Sequence, residues 1–123
     1  GYINWNWLAI EIERFICAFD DPYPGAMSFW DGHLVRFKKC FSVAGDFHPF
    51  QAGIVYHMYE GAIFVAARGG GLRIESALTE DGQPVLNKIR LGDRIYTPNK
   101  YLDDSTIYRA VYTPRGLKEQ SSD

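Results

Sequence analysis

The segment that decides the fold is Phe15–Gly32, with the sequence FICAFDDPYPGAMSFWDG. It begins as an apolar helix pattern, reaches two acids, and then runs into two prolines and a glycine. Pro22 disfavours helical geometry at the preceding Asp21, and the next proline and glycine allow only a restricted turn. The helix is therefore predicted to end by Phe19 or Asp20. A hairpin around Asp31-Gly32 is predicted to follow.

Upstream of this junction, residues 8–19 are predicted to form an amphipathic helix. Apolar side chains recur there at spacings of three and four, which is typical of one buried helix face. The members of this face are Leu8, Ile12, Phe15, Ile16 and Phe19. Asn6 is the predicted N-cap, because its side chain can accept a hydrogen bond from a free backbone N–H of the first turn.

Downstream, short apolar segments alternate with turn residues and predict a sheet. The predicted strands are residues 26–30, 34–43, 54–59, 62–68, 72–78 and 94–96. Their spacing of about 8–12 residues is typical of a small closed or nearly closed β-barrel. Residues 86–91 fit either a short helix or a strand. Residues 101–111 are predicted as a final irregular or helical segment.

Length and composition predict one globular domain. The chain has 123 residues, of which 46% are hydrophobic and 15% aromatic. Residues 1–117 are predicted to be the domain and the polar residues 118–123 a mobile tail. The net charge is −2, without a basic run that would attract nucleic acid. No apolar stretch is long enough to cross a membrane.

Two cysteines, Cys17 and Cys40, are too few for a disulfide framework. They are predicted to be buried or half-buried free thiols in a reducing, cytoplasmic compartment. The three histidines are scattered, and no paired Cys or His spacing indicates a metal site.

The candidate contact residues are basic. Arg36, Lys38 and Lys39 lie on one predicted strand, and Arg68 and Arg73 flank the glycine triplet 69–71. They are candidates for contact with an acceptor substrate or a nucleic acid, although a solvated strand face explains the first three more simply. The triplet lacks the Lys-Ser/Thr of a phosphate-binding loop, so a hairpin turn is preferred there.

Aromatic side chains offer a second alternative, a stacking platform for bases or sugars. Packing within the core or against another domain is the simpler explanation. The residues concerned are Trp5, Trp7, Phe29, Trp30, Phe37, Tyr56 and Tyr59.

Adjacent Asp20 and Asp21 are interpreted as solvating a chain reversal and not as an acid-base pair, and no catalytic residue is predicted.

The order of these features resembles the C-terminal domain of the methionyl-tRNA formyltransferase-like family. The resemblance is carried by INWNW (3–7), the AFDDPYPGA junction (18–26), residues 32–36, GIV (53–55), residues 69–74 and LGDR (91–94). It implies an OB-like β-barrel that follows a catalytic domain. No residue here matches the family's catalytic Asn-His-Asp set, so no catalytic role is carried over.

The resemblance also implies function. Such a domain would be the non-catalytic part of an enzyme that uses 10-formyltetrahydrofolate, while this chain would bind no cofactor itself. It would pack on the N-terminal catalytic domain, support acceptor binding, and take part in a homodimer contact. The residues expected at the domain contact are Trp5, Trp7, Phe15, Tyr23 and Pro24.

Two departures from the tRNA enzymes concern the acceptor. Their usual NPWP-like turn is replaced by Asp21-Pro22-Tyr23-Pro24, and their basic barrel is replaced by an acidic chain. The chain is therefore expected to be closer to formyltransferases acting on nucleotide-linked amino sugars or other small amines. The alternative from a different class is a stand-alone OB-like module that binds RNA or tRNA.

Overall fold

The computed structural model describes residues 1–102. Its main elements are a ten-residue helix and six strands: α1 (Ala9–Ala18), β1 (Ala26–Trp30), β2 (His33–Val43), β3 (Val55–Tyr59), β4 (Ala62–Ala67), β5 (Gly70–Leu78) and β6 (Ile95–Tyr96). Two short 3-10 helices, Pro49–Gln51 and Leu86–Lys88, lie between strands. Residues 99–102 are helical. The predicted tail at 118–123 and nearly all of the segment predicted at 101–111 lie outside the described residues. The prediction of a mainly β domain with one N-terminal helix is confirmed.

All six strands belong to one antiparallel sheet with the order β3-β4-β5-β2-β1-β6. The sheet curls until the two ends of this order meet. There Ile95 N donates to Gly53 O at 2.7 Å, and Val55 N donates to Asp93 O at 2.8 Å. These bonds satisfy backbone groups that an open sheet would leave exposed at its edges.

The core lies inside the curled sheet and beneath α1. Its largest fully buried side chains include Phe37 of β2, Ile74 of β5, and Ile12 and Ile16 of α1. The predicted helix face is therefore correct at its centre. Leu8, however, is 42% exposed, and Ala9 takes the buried place in the first turn.

The start of the helix differs from the prediction. The N-cap is Leu8 and not Asn6. Glu11 Oε1 accepts a hydrogen bond from Leu8 N at 2.9 Å, so the acid of the first turn satisfies the backbone there. Asn6 is instead part of the preceding turn, where its N–H donates to Asn4 Oδ1 at 2.9 Å.

Strand β2 changes its inner face at Lys39. Val35 and Phe37 are buried before that residue and Cys40 is buried after it, so the alternation shifts by one position. Lys39 has a φ of 56°, a left-handed conformation that interrupts the regular pleat. The burial pattern of β5 shifts by one position across from Lys39, because Ile74 and Ala77, which pair with Cys40 and Phe37, are both buried. This switch explains why both parities of the predicted strand carry apolar residues.

Helix α1 covers the edge of β2 that β1 leaves unpaired. Asp20 Oδ2 accepts from Lys39 N at 2.9 Å, and Glu13 Oε2 accepts from Ser42 N at 3.1 Å. Side chains of the helix and its C-terminal turn thus take the place of a neighbouring strand. Asp20 also accepts from Asp21 N at 2.7 Å, which fits the chain-reversal interpretation of the acid pair.

The turn before β5 and the segment 86–91 both have defined local structure. The first glycine of the triplet, Gly69, lies in the turn between β4 and β5 with a φ of 75°, as a hairpin requires, while Gly70 and Gly71 already belong to β5. Residues 86–91, left open between helix and strand, contain the 3-10 helix Leu86–Lys88.

The cysteines are both free, but they differ in burial. Cys40 is buried as predicted, whereas Cys17 is exposed, because its position on α1 lies outside the buried face that Ile12 and Ile16 form. The prediction of burial is therefore wrong for Cys17. Its Sγ lies 3.7 Å from Cys40 O and donates a weak hydrogen bond to it.

Candidate functional site

The five predicted contact residues do not form one surface. Arg36 and Lys38 are half-buried on β2, on the face opposite Val35 and Phe37. In the ladder between β2 and β5, Arg36 pairs with Leu78. Arg73 lies on β5 five residues before Leu78, which is about 17 Å along the strand. The residues are therefore distributed along the sheet.

Three of these five basic side chains have a partner inside the domain, whereas within residues 1–102 those of Arg36 and Lys39 form neither a hydrogen bond nor an ion pair. Lys38 Nζ forms an ion pair with Asp21 Oδ1 at 2.5 Å, and this pair holds the pKa of the Asp21 carboxyl below its ordinary value. Arg73 pairs with Glu75 at 3.1 Å. Arg68 Nη1 donates to Asn6 O at 3.1 Å and so fixes the chain before α1. These contacts reduce the positive charge available to an external ligand.

The five residues predicted to contact another domain fall into three environments. Trp5 is 6% exposed and belongs to the core of this domain, where its ring meets Phe37 edge-on. Trp7 and Phe15 are half-buried and contact each other, with ring centroids 5.2 Å apart. Tyr23 and Pro24 are exposed in the turn after α1.

The predicted aromatic platform is dispersed as well. Trp5 and Phe37 lie in the core, while Tyr56 packs on Phe47 at a centroid distance of 4.5 Å, far from them in the sheet order. Burial raises the pKa of the Tyr56 hydroxyl. No common stacking surface of the predicted residues is formed.

A different aromatic cluster, which the sequence did not predict, lies beside β6. Tyr101 stacks on Tyr2 at 4.6 Å and on Phe29 at 5.3 Å, and Phe29 stacks on Tyr96 at 6.1 Å. The members are more than 90 positions apart at the extremes, so only the fold brings them together. Burial is the main reason that the pKa of Tyr2 is raised.

A concave site among the described residues was also not predicted from the sequence. It is a cavity of about 640 Å³ between the β1–β2 turn and the segment before β6. Its lining combines two aromatic rings, Trp30 and Tyr96, with the cations Lys88, Arg90 and Arg94. The signal for it in the sequence is the LGDR segment (91–94), whose acid and arginine both lie in this lining. We call this feature the basic cavity.

Hydrogen bonds hold the wall of the basic cavity in place. Asp93 Oδ2 accepts from Trp30 Nε1 at 2.8 Å and from Arg90 N at 2.9 Å. Arg94 donates to Phe50 O at 2.8 Å and to Ala52 O at 3.2 Å. The site is thus suited to binding through fixed charges and rings.

Within residues 1–102 there is no group of three or more His, Cys, Asp or Glu side chains that could hold a metal ion. No helix in that part of the chain is long and apolar enough to cross a membrane. The three histidines are exposed on separate segments, and His48 Nδ1 accepts from Phe50 N at the start of a 3-10 helix.

Comparison with known proteins finds several relatives named methionyl-tRNA formyltransferase. The protein of Magnetococcus marinus is 32% identical over 74 residues, which are 60% of this chain and 22% of the relative. That of Chloroflexus aurantiacus is 44% identical over 46 residues, 37% of this chain and 14% of the relative. That of Dechloromonas aromatica is 28% identical over 103 residues, 78% and 32% of the two chains. The chain therefore spans about a third or less of these relatives.

These relatives lend no support to the expectation that the chain is closer to enzymes acting on nucleotide-linked amino sugars. A family model described as the formyl transferase C-terminal domain matches residues 1–88, which cover the helix and strands β1 to β5. The chain belongs to the formyl transferase C-terminal domain family.

Proposed function

We propose that this chain is the non-catalytic accessory domain of a formyltransferase that uses 10-formyltetrahydrofolate. The match of residues 1–88 to a formyl transferase C-terminal domain carries the proposal. In it the curled sheet is the OB-like barrel of the family, and the chain binds no cofactor of its own. Free Cys17 and Cys40 favour the cytoplasm as the compartment.

The first part of the role is packing against an N-terminal catalytic domain. Trp7 and Phe15 support it, because Trp7 on the segment before α1 and Phe15 within α1 form a half-buried aromatic pair. Leu8 and Ile10 beside them are 42% and 41% exposed, which extends the apolar surface. Tyr23, 57% exposed, is a further contact residue, together with Pro24. Burying such side chains against another domain contributes about 25 cal/mol per Å² of apolar area.

The second part of the role is support of acceptor binding. The printed name of the relatives makes methionyl-tRNA the first acceptor to test. The net charge of −2 and the pairing of Lys38 with Asp21 favour a small amine instead, such as a nucleotide-linked amino sugar. Arg36 and Lys39 are the basic residues left for either contact.

The test uses the natural gene product together with the 123-residue chain. We expect the full product to transfer a formyl group from 10-formyltetrahydrofolate to one of the two acceptors, and the chain alone to transfer none. Formyl transfer by the chain alone would contradict the accessory role. A full product that formylates neither acceptor would contradict the enzyme assignment.

Matched variants then test the packing surface. In the full product, Phe15→Ala should lower the midpoint of thermal unfolding and weaken acceptor formylation, whereas Phe50→Ala should change neither. Phe50 is 80% exposed and lies away from α1 in a 3-10 helix, so it is a control of the same residue type. Equal effects of the two variants would remove the support for packing through α1.

Sedimentation of the same samples tests the homodimer.

A stand-alone RNA-binding module is the second candidate. It is favoured by the position of Arg36, Lys38 and Lys39, which lie close together on β2. Such binding would require tRNA affinity of the isolated chain at low salt and a steep loss of affinity as salt rises. Absence of binding at 50 mM salt would exclude it.

A further inference from the structure

The basic cavity has the size of a small-molecule site. Its volume of about 640 Å³ falls within the range of about 300–1,000 Å³ that ligand pockets occupy. In liquid water this volume would hold about twenty molecules. A single phosphate group would therefore fill only a small part of it, and a ligand with a further ring system fits better.

The three cations of the cavity differ in how they are held. Arg90 Nη1 donates to Asn87 O at 2.7 Å and to Ile89 O at 3.3 Å. Arg94 is held by two main-chain carbonyls, as described above. Each guanidinium has five N–H donors, so each keeps donors for an anion while its position is fixed.

Lys88 completes the set. It is exposed at the end of the 3-10 helix Leu86–Lys88, and among residues 1–102 its ammonium has neither a hydrogen bond nor an ion pair. An unpaired lysine beside two fixed guanidinium groups attracts an anion, because the like charges repel until one arrives.

The carboxylates of the cavity do not cancel this attraction. Asp93 already accepts two hydrogen bonds through Oδ2, one from Trp30 and one from Arg90 N. Asp31, in the β1–β2 turn, is the remaining acid of the lining. Three cations against two carboxylates leave the lining with a formal charge of +1 in a chain whose net charge is −2.

Two rings supply the complementary surface for a planar group. Trp30 is half-buried and fixed through its indole N–H, and Tyr96 is 38% exposed. Aromatic side chains stack with nucleobases whatever the base, because every base has a π-face. Fixed cations next to such rings match the two ends of a nucleotide.

We infer that the basic cavity binds a nucleoside diphosphate, with the phosphates at Lys88, Arg90 and Arg94 and the base against Trp30 or Tyr96. This goes beyond the proposed accessory role, because it gives this domain a small-molecule ligand of its own. It does not depend on whether the full product is a formyltransferase.

The test is calorimetric titration of the 123-residue chain with uridine 5′-diphosphate. We expect saturable binding that Lys88→Ala weakens about tenfold, as expected for the loss of one charge-assisted hydrogen bond. Lys88→Arg should keep most of the affinity. Lys100→Ala is the matched control, since it removes the same charge from a lysine placed over the Tyr101 ring, outside the cavity lining. Its affinity should stay within about twofold of the wild type.

Pyrophosphate and uridine, titrated separately, distinguish the two halves of the site, and each should bind more weakly than the diphosphate of uridine. Absence of wild-type binding would overturn the inference, as would equal weakening by Lys100→Ala. Pyrophosphate that binds as tightly as uridine 5′-diphosphate would overturn it too, because the rings would then contribute nothing. If tRNA binds through Lys88 while uridine 5′-diphosphate does not compete, the cavity is part of a nucleic-acid surface and the inference fails.

Discussion

Trp5 and Ser28, 23 positions apart in the chain, are joined by a hydrogen bond of 2.9 Å from the indole Nε1 to the serine Oγ. Ser28 is fully buried, and its hydroxyl donates in turn to Tyr96 O at 2.7 Å. Thr97 Oγ1 lies 2.8 Å from the same oxygen. One hydroxyl thus connects the N-terminal segment, β1 and β6, and its full satisfaction makes its burial favourable.

Ser28→Ala should lower the free energy of unfolding by about 1–3 kcal/mol, because the buried indole N–H of Trp5 loses its acceptor. Urea denaturation measures the change. Ser76→Ala is the control, since Ser76 is half-buried on β5 and its hydroxyl has no hydrogen bond within residues 1–102. The double variant Trp5→Phe/Ser28→Ala should be less destabilised than the sum of the single variants, and strict additivity would show that the bond contributes nothing.

The second prediction concerns Lys39, where the buried side of β2 changes from one face of the strand to the other. Its φ of 56° is strained for a β-branched side chain and is free for glycine. Lys39→Val should therefore be less stable than Lys39→Gly by about 1–2 kcal/mol. Thermal unfolding of the two variants compares them directly. If valine were equally stable, the strand would not change face through a left-handed residue.

The Asp21–Lys38 ion pair should be visible in a titration. The hydrogen bond and charge of Lys38 lower the pKa of the Asp21 carboxyl, which is fully exposed. In carbon NMR the Asp21 midpoint should lie below the ordinary value of about 3.9 and should return to it in Lys38→Met. An unchanged midpoint in Lys38→Met would show that the pair is not populated in solution.

The same lowered pKa gives the sign of the pH effect on stability. Because the folded carboxyl binds its proton less readily than the unfolded one, the pair stabilises the fold above the unfolded pKa of about 3.9. This contribution is lost as the pH falls through the lower, folded value. Asp21→Asn should remove this contribution, so that it lowers the stability at neutral pH and not in acid, and added salt should reduce the difference, since the pair is exposed.

The two thiols should react at different rates. Burial raises the pKa of both, and the carboxylates of Glu13 and Asp20 raise that of Cys17 further. At pH 8, iodoacetamide should therefore modify exposed Cys17 more slowly than a free cysteine, and buried Cys40 only after unfolding. Peptide mass analysis with and without urea measures both rates, with Cys17→Ser as the control. Labelling of Cys40 in the native protein as fast as Cys17 would contradict its burial.

Local signals in the sequence were sufficient for the order of elements. The proline pair after Asp20 ends the helix, and Asp31-Gly32 makes the first hairpin turn, with φ values of 51° and 77°. Both depend on backbone conformations that neighbouring residues determine by themselves. The resemblance carried by the junction at 18–26 likewise led to the family that the comparison confirms.

Local signals were insufficient where a partner comes from a distant part of the chain. Asn6 has the side chain of an N-cap, but Ala9 N donates to Arg68 O at 2.8 Å, so contact with the β4–β5 turn determines where the helix begins. The burial of Trp5 likewise depends on Ser28 and Phe37, which no periodicity in the first residues indicates.

By itself the sequence determined the helix, the strands, their turns and the family, because each depends on residues that are close neighbours in the chain. Only the tertiary structure decided which charged and aromatic groups share a surface. It separated the five predicted basic residues, and it brought Trp30 of β1 to Arg90 and Arg94 near β6 in the basic cavity. The physical reason is the curl of the sheet, which joins residues 53–55 to 92–95 by hydrogen bonds across some 40 positions that no local pattern spans.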